Sequence, residues 1–251
     1  MPHEVGETTM GPNGDGRRRP QGSPAGGEEA GPGAKEPGSP DGAGAVTVLP
    51  ATDADTASAA ALHGRQISEG FLALLGTGFL QLLYRRILLH RQSFLFIARS
   101  RGDAVGFIAG STDVAGLYKS FLWRDGFVAA VRAAGPLTKG WRRVLETLRH
   151  GTSERGRNAR GAELLSVAVE PAWQGQGAGR LLVASFLEEA IARGSDVVDV
   201  VVGADNDRAV ALYEGAGFAA VKRFELHPGN ESLLMRYERT APTEPSESLS
   251  E

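Results

Sequence analysis

The feature that most constrains this chain is a glycine-rich turn between a predicted strand and a predicted helix. The apolar run Leu164–Val169 is typical of a strand, and Pro171 ends it because proline donates no hydrogen bond to a sheet. Three glycines follow at alternating positions, Gly175, Gly177 and Gly179, where a helical pattern begins. Glycine lets the backbone approach a ligand closely, and the unpaired amides of a first helical turn face an anion. The turn therefore predicts a phosphate-binding site.

Two other interpretations of this turn are weaker. A turn without a ligand is disfavoured because three glycines and Arg180 occur together at one strand-to-helix junction. A Rossmann dinucleotide site needs the pattern Gly-x-Gly-x-x-Gly, whereas residues 175–179 read Gly-x-Gly-x-Gly. Too little chain follows the turn to build a Rossmann sheet.

Residues downstream of the turn complete a family pattern. The chain resembles the GNAT superfamily of acyl-CoA-dependent N-acyltransferases in an ordered set of residues: Gln174, Gly177, Gly179, Asn206, Ala209, Tyr213, Gly217 and Phe218. In that family Gln/Arg-x-x-Gly-x-Gly/Ala binds the pyrophosphate of acetyl-CoA, and Asn-x-x-Ala-x-x-x-Tyr with a following Gly-Phe closes the fold. The resemblance is specific over 162–224, looser over 46–112, and absent at the termini and over 113–161.

The resemblance implies a GNAT fold over residues 46–239: an α/β domain whose mixed, mostly antiparallel central sheet is flanked by helices. Hydrophobic periodicity predicts the individual elements. Strands are predicted at 46–49, 94–98, 104–109, 162–169, 197–202, 218–225 and 232–239, and helices at 52–63, 71–89, 177–193 and from Asn206 to about Gly215. Gly194 is expected to take the left-handed conformation that commonly ends a helix.

The cofactor-binding residues follow from the resemblance. The amides of the turn would contact the pyrophosphate of acetyl-CoA. The backbone of the fourth strand would pair with the pantetheine arm, which enters where the fourth and fifth strands splay apart, and Asn206 would contact the same arm. The residues concerned are Val167, Val169, Gln174, Gly175, Gln176, Gly177, Ala178, Gly179, Arg180 and Asn206.

Tyr213 is the candidate general acid. It lies seven residues after Asn206, so both fall on nearly one face of the same helix. In many members of the family the tyrosine at this position protonates the departing CoA thiolate, which is the role the resemblance implies here. The alternative is that Tyr213 packs beside Leu212 and Phe218 as a core residue.

Glu163 is the candidate general base. It lies four residues before Val167, where the histone-acetylating branch of the family carries its glutamate base. Strand alternation would place Glu163 on the same face as Leu165, Val167 and Val169, and apolar neighbours raise the pKa of a carboxyl group. The alternative is that Glu163 is solvated at the start of its strand.

Other sources of the base receive less weight or stay open. The branch that acetylates ribosomal proteins carries a glutamate where this chain has Val201, so that base is missing. Glu170 lies at the edge of the turn, where the family varies. A chain of water molecules could also accept the proton.

Residues 113–161 depart from the family pattern, which has a short connection here. Apolar residues recur at helical intervals between Leu117 and Leu148, which predicts two or three helices over one side of the sheet. Long ordered insertions are usually functional, and this one would shape the acceptor pocket. Its basic side chains are interpreted as solvated helix faces, with an anionic-substrate site or a partner-binding surface as alternatives.

Composition limits which other kinds of protein this chain can be. Residues 1–45 are rich in Gly and Pro, and residues 240–251 combine Pro, Ser and Thr with glutamate, so both ends are predicted to be disordered. The chain has no cysteine, which excludes disulfides and thiolate chemistry and fits a cytoplasmic enzyme. Its formal charge of −3 comes from the two ends, and the remaining core, at +3, is too mildly basic to indicate nucleic acid.

Targeting, membrane and metal signals are also weak. The first residues lack the apolar stretch of a secretory signal, and Gly and Arg interrupt Phe71–Leu89, so it does not fit a membrane span. The histidines His63, His90, His150 and His227 lack metal-ligand spacing and are predicted to lie on the surface.

We therefore predict an enzyme that transfers an acetyl group from acetyl-CoA to a primary amine by direct attack in a ternary complex. A small amine or an amino sugar is the favoured acceptor, and a protein N-terminus is the alternative. A competing hypothesis is a non-catalytic acyl-CoA-binding sensor or interaction module, against which the presence of both Asn206 and Tyr213 argues. A homodimer is left open, because members of the family often dimerise.

Overall fold

The computed structural model of the protein describes residues 44–67, 72, 75–125, 161–227 and 230–239. The strands are β1 (Thr47–Pro50), β2 (Ser93–Ser100), β3 (Asp103–Ser111), β4 (Gly161–Val169), β5 (Val197–Gly203), β6 (Ala219–His227) and β7 (Asn230–Glu238). The α-helices are α1 (Thr56–Gln66), α2 (Thr77–Leu89), α3 (Val114–Arg124), α4 (Ala178–Ala192) and α5 (Asp207–Glu214). Short 3-10 turns at Asp53–Asp55 and Pro171–Trp173 precede α1 and α4.

The strands form one seven-stranded sheet in the order β1-β2-β3-β4-β5-β7-β6. Neighbouring strands are antiparallel except β4 and β5, which are parallel and are connected through α4. This is the mixed, mostly antiparallel sheet flanked by helices that the sequence predicts, so the predicted fold class is confirmed.

Most element boundaries agree with the hydrophobic pattern to within about three residues. Gly194 has φ 82°, as expected for a left-handed residue after α4. The helix predicted from Phe71 begins instead at Thr77, after Gly76 with φ 83°; residues 68–71 and 73–74 lie outside the described part of the chain.

Several predictions concern residues that lie wholly or mainly outside the described ranges. These are the disordered arm at 1–45, of which only residues 44 and 45 are described, and the tail at 240–251. Helix α3 occupies the start of the predicted insertion, whereas residues 126–160 are not described. The further helices of the insertion therefore stay a prediction.

Helices cover both faces of the sheet and divide the core in two. On one face, here called the α1–α2 face, helices α1, α2 and α3 pack on the sheet through a cluster that includes Leu62, Leu80, Tyr84, Phe107 and Leu117. On the other, the α4–α5 face, the cluster includes Leu164, Leu182, Phe186, Val200, Tyr213 and Met235.

A β-bulge in β4 changes which side chains share a face. The pairing with β3 joins Ala109 to Ser166 but Gly110 to Leu164, so Leu165 is the extra residue. Leu165 packs against the α1–α2 cluster, whereas Leu164 is buried in the α4–α5 cluster. Side chains after the bulge are therefore shifted by one residue relative to simple alternation.

The bulge corrects the predicted surroundings of Glu163. Its neighbours Ala162 and Leu164 are both buried in the α4–α5 cluster, so alternation directs the Glu163 side chain to the α1–α2 face. Val167 and Val169, in contrast, pack against the α4–α5 cluster. The predicted grouping of Glu163 with these two valines is wrong, because the sequence pattern gave no sign of the extra residue.

Strands β4 and β5 separate partway along their length. They pair from Gly161 with Val197 to Leu164 with Val200. Beyond that point β4 stays paired with β3 and β5 stays paired with β7. The two strands therefore diverge, which leaves a gap in the middle of the sheet that opens toward the carboxyl end of β4.

Gly110 of β3 lies where Phe186 of α4 packs tightly against the sheet. A Cβ atom at this position would be 2.3 Å from Cε2 of Phe186 and 2.5 Å from the carbonyl oxygen of Glu163. We expect Gly110→Ala to lower the free energy of unfolding by about 1–3 kcal/mol, because the helix must move away.

Urea unfolding tests this expectation, with Gly64→Ala as the matched control. A Cβ at Gly64 in α1 would meet nothing within 4 Å. That change is expected to raise the free energy of unfolding by about 0.5–1 kcal/mol, since alanine favours helix over glycine. Equal stability of Gly110→Ala and the wild type would contradict the close packing of α4.

Candidate active site

The predicted phosphate turn joins β4 to α4. Gly175 has φ 76° and Gly177 has φ 88°, in the left-handed region that favours glycine. The first i to i−4 hydrogen bond of α4 runs from the amide of Leu181 to the carbonyl of Gly177, at 3.0 Å. The amides of residues 178–180 therefore have no acceptor within the helix and lie at its positive end. This arrangement can bind a phosphate group.

Two glutamines brace the turn with their side chains. Nε2 of Gln174 donates to the carbonyl of Val169 at 2.8 Å, and its Oε1 accepts from Arg208. Nε2 of Gln176 donates to the carbonyl of Ala172. These side-chain amides hold the loop to its own backbone and to α5, so they shape the turn.

Arg208 is a cation beside the turn that the sequence analysis missed. It occupies the first turn of α5, is exposed, and reaches Gln174. A basic residue in a first helical turn is unfavourable with respect to the helix dipole. This placement is the sequence signal that could have identified Arg208 as a functional residue. Together with the exposed Arg180 it adds positive charge where the turn presents its amides.

The main chain of β4 is directed into the gap between β4 and β5. The amide of Glu170 donates to the carbonyl of Val105 in β3 at 2.8 Å. Because main-chain groups alternate sides along a strand, those of Val169 and Val167 are directed away from β3. They provide an edge with which an extended ligand could pair.

Asn206 precedes α5 as its cap, and Tyr213 lies in the last turn of the helix. Oδ1 of Asn206 accepts from the amide of Ala209 at 3.1 Å, which caps the helix. The Tyr213 side chain is 4% exposed, and its ring centroid lies 5.5 Å from that of Phe218. Burial raises the pKa of Tyr213 above its ordinary value, so the phenol keeps its proton near neutral pH. The predicted core packing is present, and the acid role stays a prediction.

Glu163 belongs to a row of polar residues that crosses the sheet. In the strand register it is flanked by Ser111 on β3 and Asp199 on β5. Asp199 accepts two hydrogen bonds from Arg236, at 2.7 and 3.0 Å. The carboxylate of Asp199 is therefore engaged by Arg236 of β7.

Tyr118 of α3 faces this row and was missed by the sequence analysis. Burial, and after it the negative charge of Glu163, raise the pKa of the Tyr118 phenol above its ordinary value. The tyrosine lies one residue after the buried Leu117, and the apolar spacing of this helix gives no sign of its role. The phenol stays protonated and lies close enough to sense the carboxylate.

The prediction that His63 lies on the surface is wrong. His63 is 3% exposed, and its Nδ1 atom is 2.6 Å from the hydroxyl of Tyr84. That hydroxyl in turn lies 3.1 Å from Oγ of Ser166, in the part of β4 that borders the gap. Burial lowers the pKa of His63 to about 4. The sequence shows the polar neighbours of His63 but not the helix that covers it.

Glu170 is tied to α1 rather than directed at the turn. Its carboxylate accepts from Arg65 and, at 3.3 Å, from Nε2 of Gln66. This pairing agrees with the small weight that the sequence analysis gives to Glu170 as a base.

Two negative observations apply to the described ranges. Among their side chains, no group of three or more histidine or acidic residues is arranged to hold a metal ion. None of the helices in these ranges is at once long and apolar enough to span a bilayer.

Comparison with curated proteins places the chain beside acetyltransferases. It is 38% identical over 84 residues to the N-alpha-acetyltransferase RimI of Mycobacterium tuberculosis, which covers 32% of this chain and 51% of that protein. It is 44% identical over 59 residues to the mycothiol acetyltransferase of Beutenbergia cavernae, which covers 24% of this chain and 20% of that protein. The chain thus matches about half or less of the length of these relatives.

Solved structures share the fold. A Salmonella typhimurium protein solved with its cofactor acetyl-CoA superimposes with a TM-score of 0.50 at 18% identity, over 80% of this chain and 98% of that one. The family model for the acetyltransferase (GNAT) family matches residues 66–218, which include the phosphate turn, the gap and Tyr213. The chain therefore belongs to the GNAT acetyltransferase family.

Proposed function

We propose that the protein is an N-acetyltransferase that moves an acetyl group from acetyl-CoA to a primary amine by direct attack in a ternary complex. The supporting observation is the continuity of the gap with the phosphate turn. Val169 ends the β4 edge of the gap, and its carbonyl is bonded to Gln174 of the turn. A ligand with an extended arm that leads to a pyrophosphate needs a strand edge for the arm and a phosphate turn directly after it.

The residues present fit acetyl-CoA. The amides of residues 178–180 bind the pyrophosphate, and Arg180 and Arg208 add positive charge beside it. The edge formed by Val167 and Val169 pairs with the amide groups of the pantetheine arm, as an added strand would. When bound, acetyl-CoA supplies the thioester carbonyl that the amine attacks.

The protein's own groups handle the protons. Glu163 accepts one proton from the substrate ammonium, which frees the nitrogen lone pair. The carbon–nitrogen bond then forms, the carbon–sulfur bond breaks, and Tyr213 gives its proton to the sulfur. The second proton lost by the nitrogen restores Tyr213 through solvent, so the products are the acetylated amine, the CoA thiol and one proton.

A small amine or amino sugar is the favoured acceptor. The two relatives differ on this point, since one name specifies an N-alpha-acetyltransferase and the other mycothiol. The charge of Glu163 acts on the Tyr118 phenol, so helix α3 lies within electrostatic range of the carboxylate. A helix in this position narrows the approach to the carboxylate, which suits a compact acceptor better than an extended peptide.

Thiol release from acetyl-CoA tests the proposal against a panel of amino sugars, small amines and peptides with free N-termini. We expect one class of amine to drive turnover, and the class identifies the acceptor. Tight binding of acetyl-CoA without acetylation of any amine would contradict the transferase and favour the acyl-CoA sensor.

Tyr213→Phe is expected to lower kcat about 10-fold without changing the Kd for acetyl-CoA. The loss is smaller than for many general acids because a thiolate is a good leaving group that water can also protonate. Tyr237→Phe is the matched control, since its ring packs on Phe218 at 5.7 Å within the same cluster. An equal loss in both variants would indicate a packing effect and contradict the acid role.

A further inference from the structure

A buried chain of hydrogen bonds links α1, α2 and β4. Nδ1 of His63 lies 2.6 Å from the hydroxyl of Tyr84, which lies 3.1 Å from Oγ of Ser166. Only 3% of His63 and 1% of Tyr84 are exposed. Phe107 fixes both rings, stacking on His63 at 6.4 Å and meeting Tyr84 edge-on at 5.1 Å. The chain is therefore rigid up to the serine.

Ser166 is the end of this chain that reaches the gap. It follows the bulge, two residues beyond the last pairing of β4 with β5 at Leu164. Its hydroxyl is directed to Tyr84 on the α1–α2 face, which is also the face of Glu163. Helix α4, which carries the phosphate-binding amides, packs on the opposite face. A second substrate would therefore approach acetyl-CoA past Glu163 and Ser166.

The acidity of the groups sets the direction of the hydrogen bonds. A phenol is far more acidic than the N–H of a neutral imidazole, so the short contact is formed with Tyr84 donating to Nδ1 of His63. Burial lowers the pKa of His63 to about 4, which keeps the ring neutral and Nδ1 able to accept. The single proton of Tyr84 is then used, and its oxygen accepts from Ser166. The lone pairs of Ser166 remain for a ligand.

One atom of the chain is left without a partner. Nε2 of His63 is buried and has no hydrogen-bond partner among the described residues. With Nδ1 accepting from Tyr84, this nitrogen carries the ring proton, and burying an unpaired N–H opposes folding. The hydrogen-bonded chain therefore lowers the stability of the fold at His63. A functional role for Ser166, at the other end of the chain, would explain why it is present.

We propose that Ser166 is a further substrate-contacting residue. Its oxygen accepts a hydrogen bond from the acceptor amine, which orients the lone pair of the amine nitrogen toward the acetyl carbon. Tyr84 and His63 are positioning residues that act through Ser166. The inference rests on the proposed function. A primary amine that has given one proton to Glu163 keeps two N–H groups, and Ser166 holds one of them. Orientation of this kind accelerates attack by fixing the reacting atoms.

Steady-state kinetics of Ser166→Ala, Tyr84→Phe and the double variant test the proposal. We expect each single change to lower kcat/KM for the amine about 10-fold, as for the loss of one hydrogen bond to a substrate. The double variant should lose no more than the worse single variant, because both changes remove the same contact. The KM for acetyl-CoA should stay unchanged, because the proposed contact is with the amine.

Ser100→Ala is the matched control. Ser100 is a buried serine on β2, two strands from the gap, and its Oγ donates to the carbonyl of Gly44 at 2.9 Å. We expect it to change stability and leave kcat/KM intact.

Each remaining outcome separates two explanations. Normal kcat/KM in Ser166→Ala would overturn the role of Ser166 and leave the transferase intact, and this variant decides even if Tyr84→Phe does not fold. A raised KM for acetyl-CoA would overturn the amine contact in favour of a cofactor contact. Additive losses would overturn the positioning role of Tyr84. A wild type without amine-dependent turnover would contradict the proposed function itself, and this role with it.

Discussion

Replacing Glu163 by glutamine is expected to lower kcat at neutral pH by about 100- to 1,000-fold, which is typical of the loss of a general base. The carboxylate lies on the α1–α2 face, from which we propose that the acceptor approaches, and Tyr118 lies within range of its charge. Glutamine keeps the size of the side chain and one acceptor oxygen but cannot take a proton. The binding of acetyl-CoA, measured by calorimetry, should not change.

A pH series makes the test of Glu163 specific. An alkyl ammonium ion has a pKa near 10, so the fraction of free amine rises about 10-fold for each pH unit below it. The activity of Glu163→Gln should therefore rise steadily up to about pH 9, and the difference in kcat between this variant and the wild type should shrink.

Glu170→Gln is the control for this series. Its carboxylate pairs with Arg65 and Gln66, so it should keep the wild-type kcat. A Glu163→Gln enzyme that keeps its kcat at pH 7 would contradict the base role and favour a chain of water molecules.

The parts of the molecule that could be predicted from sequence are those fixed by local chemistry. Glycine tolerates the positive φ angles found at Gly175, Gly177 and Gly194, and Asn206 caps a helix because of its own side chain. The strand order could be predicted only through the resemblance to a known family, since periodicity does not specify which strands pair.

The features that escaped prediction depend on contacts between distant segments. The bulge at Leu165 depends on how β4 pairs with β3, and it moves Glu163 to a different face from the one that alternation implies. His63 is buried because α2 covers it with Tyr84, 21 residues away in the chain. The link from Arg208 to Gln174 spans 34 residues. Single-segment patterns carry no information about such pairs.

Acidification is expected to destabilise the protein through His63 by up to about 3 kcal/mol. Burial lowers the pKa of His63 to about 4, against 6.5 for an unperturbed histidine, because the charged ring is costly inside the core. The folded protein therefore binds fewer protons at this site than the unfolded chain. The contribution of His63 to the free energy of unfolding is fully present above pH 6.5 and is lost as the pH falls from there through about 4. The difference between the two pKa values corresponds to about 3 kcal/mol.

Urea unfolding at several pH values, for the wild type and for His63→Gln, isolates this effect. Many carboxylates titrate in the same range, so only the difference between the two curves reports on His63. The free energies of unfolding should converge, or cross, as the pH falls from 6.5 to 4, since glutamine takes no proton. Parallel curves would contradict the buried neutral ring.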